Sequence, residues 1–215
     1  MIVAISDDTQ TWMYKDVKIE GIVRGWANPV DPAIVLLEDG EFRLYFTSGP
    51  REGGSQPSTC SALSSDCVHF TVEPGVCFQA DGMVLDPNVL RVGDQWIFFA
   101  GGGPGGNHFA LSPDGLTFTA QAPFSAENVI MANGLAVPDG YRYYGFDQTG
   151  PPGTPRYIRS LFSTDGVNWT VEDGNRLDSD ESAGLETNEV KDPSVVQLAD
   201  GSYLMFYVTG IPWKT

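Results

Sequence analysis

Two short motifs alternate along this chain, and each occurs four times. The first is an Asp-Pro pair, an apolar strand, a tight turn and an aromatic strand. It reads "DPAIVLLEDGEFRLYFTSG" from Asp31, "DPNVLRVGDQWIFFAGG" from Asp86 and "DPSVVQLADGSYLMFYVTG" from Asp192. A degenerate copy, "MANGLAVPDGYRYYGF", starts at Met131, where Met131-Ala132 replaces Asp-Pro. The second motif is Ser-x-Asp with an aromatic residue six positions after the Ser. Its copies are "SDDTQTW" from Ser6, "SSDCVHF" from Ser64, "SPDGLTF" from Ser112 and "STDGVNW" from Ser163. Ser and Asp side chains bond turn amides and Gly accepts a positive φ, so this motif predicts a tight turn between two strands with the aromatic packed beneath.

Joined, the motifs give an inner strand, a turn, an aromatic strand, a long loop, a third strand, the Ser-x-Asp turn and a fourth strand. Four antiparallel strands recurring every 45 to 60 residues or so are the pattern of a β-propeller blade. The expected fold is all-β: one β-propeller domain over residues 1–215, with four blades of four antiparallel strands. A β-sandwich with similar hairpins is the competing fold. One Ser-x-Asp half precedes any Asp-Pro half, and the Asp-Pro half at Asp192 has no Ser-x-Asp half after it. The expected solution is circular. "MIVAISDDTQTWMYK" supplies the outer strands of the blade begun at Asp192, so that the chain's two ends share a closing blade. A five-bladed ring is the alternative.

Composition narrows the function classes. The formal charge is −16, from 28 acidic and 12 basic residues. Phosphate backbones and anionic membrane surfaces both require a basic footprint, so neither nucleic acid nor a membrane is an expected partner. No segment approaches the roughly 18 apolar residues of a membrane span. The N-terminus lacks the basic, apolar and small-residue order of a signal peptide. A cytoplasmic protein and a secreted one whose signal has been removed both fit, and a monomer is expected. Cys60 and Cys67 flank a hairpin turn, which permits a disulfide; with Cys77 they make three cysteines without metal-like spacing and read as ordinary buried or free thiols.

In a propeller, the starts of the inner strands surround one mouth of a central channel. Asp31, Asp86 and Asp192 are expected there, each followed by a Pro that tolerates the missing N–H at a strand start. The loops "SGPREGGSQPST", "GGGPGGN" and "FDQTGPPGTPR" would wall the same mouth. "GGGPGGN" follows a strand and opens no helix, so it is a poor phosphate cradle.

On "DPAIV", "DPNVL" and "KDPSVV", each with its turn and aromatic strand, and on the "STDGVNW" turns, the chain resembles the propeller glycosidases. That group includes the arabinanases, xylosidases, invertases and levansucrases and is typically five-bladed. The resemblance implies glycoside hydrolysis, with one blade-opening Asp as base or nucleophile, a second that tunes a pKa and binds substrate, and a Glu from another blade as acid. It makes Asp31 the base and Asp86 the modulator. Met131 stands where the Glu is expected. The substitutes are Glu127 and Glu189, and Glu189 is preferred for its place in "ETNEVKDP", beside Asp192. Hydrolysis needs two carboxyls, one kept protonated, and clustered carboxylates raise one another's pKa. Asp192, His108 beside the "GGGPGG" loop, Arg156 at the end of "FDQTGPPGTPR" and Trp26 are expected to contact a carbohydrate substrate. No cofactor is expected. Ca²⁺ on the axis is the alternative use of three acids, although no contiguous calcium loop is present. A second reading is a non-catalytic carbohydrate- or partner-binding propeller. A third, structural reading has each Asp bonding the amides of a neighbouring inner strand. His69 fills a variable slot of a Ser-x-Asp turn and reads as structural.

Overall fold

A computed structural model describes residues 1–51, 56–103, 106–122, 124–126, 128–147, 156–179 and 189–209. Glu127 lies outside the described residues. The N-terminal hairpin is β1 (Ile2–Ile5) and β2 (Met13–Asp16). After β3 (Lys18–Glu20) comes the first full sheet, β4 (Val30–Leu36), β5 (Phe42–Ser48), β6 (Ser58–Ser64) and β7 (His69–Val72), with β3 parallel to β7 at its edge. The second sheet is β8 (Leu85–Val92), β9 (Gln95–Gly103), β10 (Gly106–Ser112) and β11 (Thr119–Ala120), with β12 (Phe124–Ser125) also against β10. The third is β13 (Val129–Val137), β14 (Gly140–Asp147), β15 (Tyr157–Ser163) and β16 (Thr170–Val171), with β17 (Leu177–Asp178) against β15. A hairpin of β18 (Val190–Gln197) and β19 (Tyr203–Thr209) follows. No helix among the described residues is long and apolar enough to cross a membrane.

The Ser-x-Asp turns form as their chemistry requires. In each, the Ser Oγ donates to the Asp Oδ1, and that oxygen accepts two backbone N–H groups further along the turn. For Asp165 these are Val167 N at 2.9 Å and Asn168 N at 2.8 Å; for Asp8 they are Gln10 N at 2.9 Å and Thr11 N at 2.7 Å. The donated bonds lower the pKa of Asp8 to about 2 and lower those of Asp66, Asp114 and Asp165. The left-handed turn position is Gly115 and Gly166 in two copies, and Thr9 and Cys67 in the others. The strands around the turn keep one register throughout: Ala4 faces Tyr14 as Ala62 faces Val72, Ala110 faces Ala120 and Leu161 faces Val171.

The sheets stack in chain order, with β4 against β8, β8 against β13 and β13 against β18. Aromatic strands fill the interfaces. The Tyr45 Oη donates to the Gly115 carbonyl at 2.7 Å, Phe118 meets Tyr45 edge-on at 6.2 Å, and Trp169 meets Phe99 likewise at 6.2 Å. In each of these ring pairs the turn aromatic of one sheet rests on the second strand of the sheet before it.

Among the described residues, the shared closing blade is not formed. β1–β2 and β18–β19 are two separate two-stranded sheets, touching where Trp12 meets Phe206 edge-on at 5.5 Å. Phe206 lies opposite Ser194 in β18 as Tyr45 lies opposite Ala33 and Phe99 opposite Asn88. Trp12 therefore makes the contact seen between successive sheets, not one within a sheet. Cys60, Cys67 and Cys77 are free thiols.

Candidate functional site

The four inner strands share an irregularity near their starts. Register slips between Val30 and Ala33, Leu85 and Asn88, Met131 and Asn133, and Lys191 and Ser194. Three of these bulges hold the Asp-Pro pairs, and their Asp residues all take the left-handed conformation: φ is 53° at Asp31, 51° at Asp86 and 49° at Asp192. Such a conformation costs about 1–3 kcal/mol at a residue bearing a Cβ, and Asp is among the side chains that best tolerate it. A bulge re-aims a side chain off the regular alternation of a strand. Here it brings three carboxylates to one cavity of about 670 Å³, lined also by Asn88, Ile130, Ala132 and Phe146.

The carboxylates sense one another. The Asp86 backbone N–H donates to Asp31 Oδ2 at 3.4 Å. Loss of water against the cavity walls, then the charges of Asp31 and Asp192, push the Asp86 pKa up to about 6, with Lys191 opposing. Burial likewise raises Asp192, aided by Glu189 and Asp31 and opposed by Lys191 and Arg156. Lys191 Nζ is 4.0 Å from Asp192 Oδ2, and Arg156 Nε is 3.6 Å from Glu189 Oε1. Glu189 and Arg156 thus stand as a pair beside Asp192, although neither is among the residues lining the cavity.

The fourth station is built differently. Met131 is fully buried, and its N–H donates to Asn107 Oδ1 at 2.9 Å while Asn107 Nδ2 donates to the Val129 carbonyl at 2.8 Å. The Asn133 Oδ1 accepts the Val195 N–H at 2.8 Å and ties β13 to β18. This wall offers Ile130, Ala132 and Phe146 where the others offer a carboxylate.

Two expected substrate contacts lie elsewhere. The His108 Nε2 donates to the Met83 carbonyl at 2.9 Å, and its ring packs against Phe78 at 5.5 Å. Trp26 packs on the β5–β6 face of the first sheet and lines a separate cavity of about 150 Å³ with Phe46 and Cys60. Lys191 was not anticipated. Its signal is visible in hindsight, because the residue before Asp-Pro is Val30, Leu85 and Lys191 in turn. Among the described residues, no group of three or more His, Cys, Asp or Glu is arranged to hold a metal ion.

No protein-family model matches the chain, and no curated protein matches it. Solved structures do. The chain is similar to the GH43 BlXynB protein from Bacillus licheniformis, with TM-score 0.72 and 15% identity over 98% of this chain and 44% of that one. An alpha-L-arabinofuranosidase from Clostridium thermocellum gives TM-score 0.65 and 16% identity over 93% of this chain and 68% of that one. The Bombyx mori GH32 beta-fructofuranosidase BmSUC1 gives 0.66 and 15% over 86% and 42%. The chain thus spans less than half the length of the first and the last of these three. At such identities the likeness concerns the fold, and in its all-β stack of antiparallel sheets this chain has the fold of the propeller glycosidases.

Proposed function

We propose that this protein is a glycoside hydrolase-like propeller acting on a small sugar or oligosaccharide through the carboxylates of its channel mouth. The observation that carries the reading is the trio of left-handed Asp-Pro bulges, which brings Asp31, Asp86 and Asp192 to one cavity and holds Asp86 protonated to about pH 6. Asp31 is the base: it takes a proton from the water that attacks the anomeric carbon. The bond from that carbon to the leaving oxygen breaks, and this oxygen takes a proton from the acid. Asp86 is read as the acid in preference to Glu189, because it lines the cavity with a raised pKa while Glu189 faces Arg156. Asp192 is read as a substrate contact, and Arg156, His108 and Trp26 drop out because they line no part of the cavity. Burial of Met131 at the fourth station favours one other reading, a carbohydrate-binding propeller without turnover.

Screening aryl arabinosides, xylosides, galactosides and fructosides tests both. Turnover that Asp31→Asn lowers by roughly 10²-fold or more supports catalysis. Saccharide binding without turnover supports the second reading, and wild-type turnover in Asp31→Asn removes the assignment of the base.

A further inference from the structure

One polar side chain on the lining of the large cavity is buried and bonded to nothing. Asn88 in β8 is 9% exposed and lines the cavity two residues beyond Asp86. Its side-chain amide makes no hydrogen bond to any of the described residues, and its polar atoms are open to the cavity and not sealed in the core. The other polar side chains of that lining, the carboxylates aside, are accounted for. Arg91 Nη1 meets Glu38 Oε1 at 2.7 Å, and its Nε donates to the Gly93 carbonyl at 3.1 Å. Asn133 holds in β13 the position that Asn88 holds in β8, and its Oδ1 accepts the Val195 N–H at 2.8 Å. The counterpart in β18 is Ser194, which is exposed, and the counterpart in β4 is Ala33.

A buried amide without a partner is costly, and such groups are rare enough in native proteins to require a reason. Packing supplies none. Asn88 stands opposite Phe99, on the face of β8 turned to the third sheet, where Phe99 and Leu90 pack with Val129 and Met131. A Leu would fill the same outline there with no amide to satisfy. The cavity does supply a reason. An ionised carboxylate can only accept hydrogen bonds, whereas a sugar hydroxyl both donates and accepts. A hydroxyl that donates to one of the cavity's carboxylates still needs a donor for its own oxygen, and Asn88 Nδ2 is free to be that donor. Along β8 the amide stands about 7 Å from Asp86, further from the mouth, at the ordinary rise of a strand. One sugar ring bridges such a separation.

We infer that Asn88 is a specificity-determining substrate contact. Its amide binds one hydroxyl of a sugar held at Asp31, Asp86 and Asp192, on the side of the ring away from the mouth, and the site rejects the analogue that lacks this hydroxyl. A site that pairs a buried polar group with a substrate hydroxyl discriminates strongly, because the deoxy analogue leaves that group unpaired. The inference rests on the carbohydrate reading of the cavity and holds whether or not the bound sugar is hydrolysed.

The probes are arabinose, xylose, galactose and fructose, free for binding and as aryl glycosides for turnover, each beside its monodeoxy analogues. The full chain is compared with Asn88→Leu, which keeps the heavy-atom outline of Asn, and with Asn133→Leu. In the wild type, loss of the recognised hydroxyl is expected to lower affinity or kcat/KM about 10²-fold or more. In Asn88→Leu the parent sugar is expected to fall by that same factor and the matching deoxy analogue to fall no further, while the other deoxy analogues keep their wild-type ratios to the parent. Thermal melts are the second readout. Asn88→Leu is expected to melt within about 1 °C of the wild type or above it, because no bond of the free protein is lost, and Asn133→Leu about 2–4 °C lower, because the bond to Val195 is lost. The proposal is overturned if Asn88→Leu handles the parent sugar as the wild type does, or lowers parent and all deoxy analogues by one common factor. It is overturned equally if Asn88→Leu melts as low as Asn133→Leu, because the amide then supports the fold. If no sugar binds to or reacts with the wild type, the carbohydrate reading falls and takes this inference with it. If sugars bind and only the Asn88 comparisons fail, this inference falls alone.

Discussion

The backbone N–H of Asp86 points at the Oδ2 of Asp31 across 3.4 Å, from one inner strand to the next. This single contact joins the structural and chemical readings of the Asp-Pro motif. It ties neighbouring sheets together, and it sets the Asp31 charge beside a carboxyl that is losing its water.

The charges around Asp86 lead to opposite shifts in two variants. Asp192 raises the Asp86 pKa and Lys191 lowers it. If Asp86 is the acid, activity falls as pH rises through its pKa, near 6 in the wild type. Asp192→Asn is expected to move that alkaline limb to lower pH, and Lys191→Met to higher pH. Profiles of kcat/KM against pH check this, and limbs that coincide with the wild type would exclude Asp86 as the acid.

Asp86 also makes stability depend on pH. Its folded pKa of about 6 exceeds the ordinary 3.8, so between these values the folded state binds more protons than the unfolded one. Stability contributed by this group therefore falls as pH rises from about 4 to about 6. The carboxyl opens onto the water-filled cavity, so screening limits the amplitude to about 1 kcal/mol. Urea midpoints measured across this range should show that slope in the wild type and lose it in Asp86→Asn.

Two glycines with similar backbones should respond differently to Ala. Gly166 has φ 75°, and a Cβ there would come within 2.6 Å of Ile97 Cδ1 in the neighbouring sheet. Gly40 has φ 87° and nothing within 4 Å of its Cβ position. Gly40→Ala is expected to cost about 1 kcal/mol, for the backbone alone. Gly166→Ala is expected to cost about 2–4 kcal/mol, because overpacking is added. Chemical denaturation of the two variants measures the difference.

The first and third sheets carry a matching polar knot. Arg43 Nε donates to Glu73 Oε2 at 2.8 Å and Ser61 Oγ donates to the same oxygen at 2.8 Å; Arg142, Glu172 and Ser160 repeat the arrangement. In the second sheet the corresponding positions are Ile97, Gln121 and Phe109. Glu73→Ala strands a largely buried guanidinium and is expected to cost about 2–3 kcal/mol. Arg43→Ile combined with Glu73→Gln copies two of the three middle-sheet positions and is expected to cost less than Glu73→Ala alone. Thermal melts of the single and double variants decide it.

Much of this molecule was legible in the repeat. The Ser-x-Asp turns, their register and the correspondence of Met131-Ala132 with Asp-Pro all follow from residues within one hairpin. Turn chemistry acts over two or three residues, so pattern reading reaches it. The left-handed φ shared by Asp31, Asp86 and Asp192 was not legible, because an Asp-Pro pair opens an ordinary strand equally well. Nor was the fate of His108, whose Nε2 is engaged by a carbonyl 25 residues away.

By itself, then, the sequence determined the all-β class, the repeating unit, its turns and three acids at matching positions. Tertiary structure alone decided that these acids share a cavity, that the pKa values of Asp86 and Asp192 are raised there, and that Trp12 rests on Phe206 across a sheet interface. The physical reason is range. Hydrogen bonds inside a turn are specified by neighbours in the chain, whereas desolvation, charge coupling and the seating of one sheet on the next depend on residues brought together from distant positions.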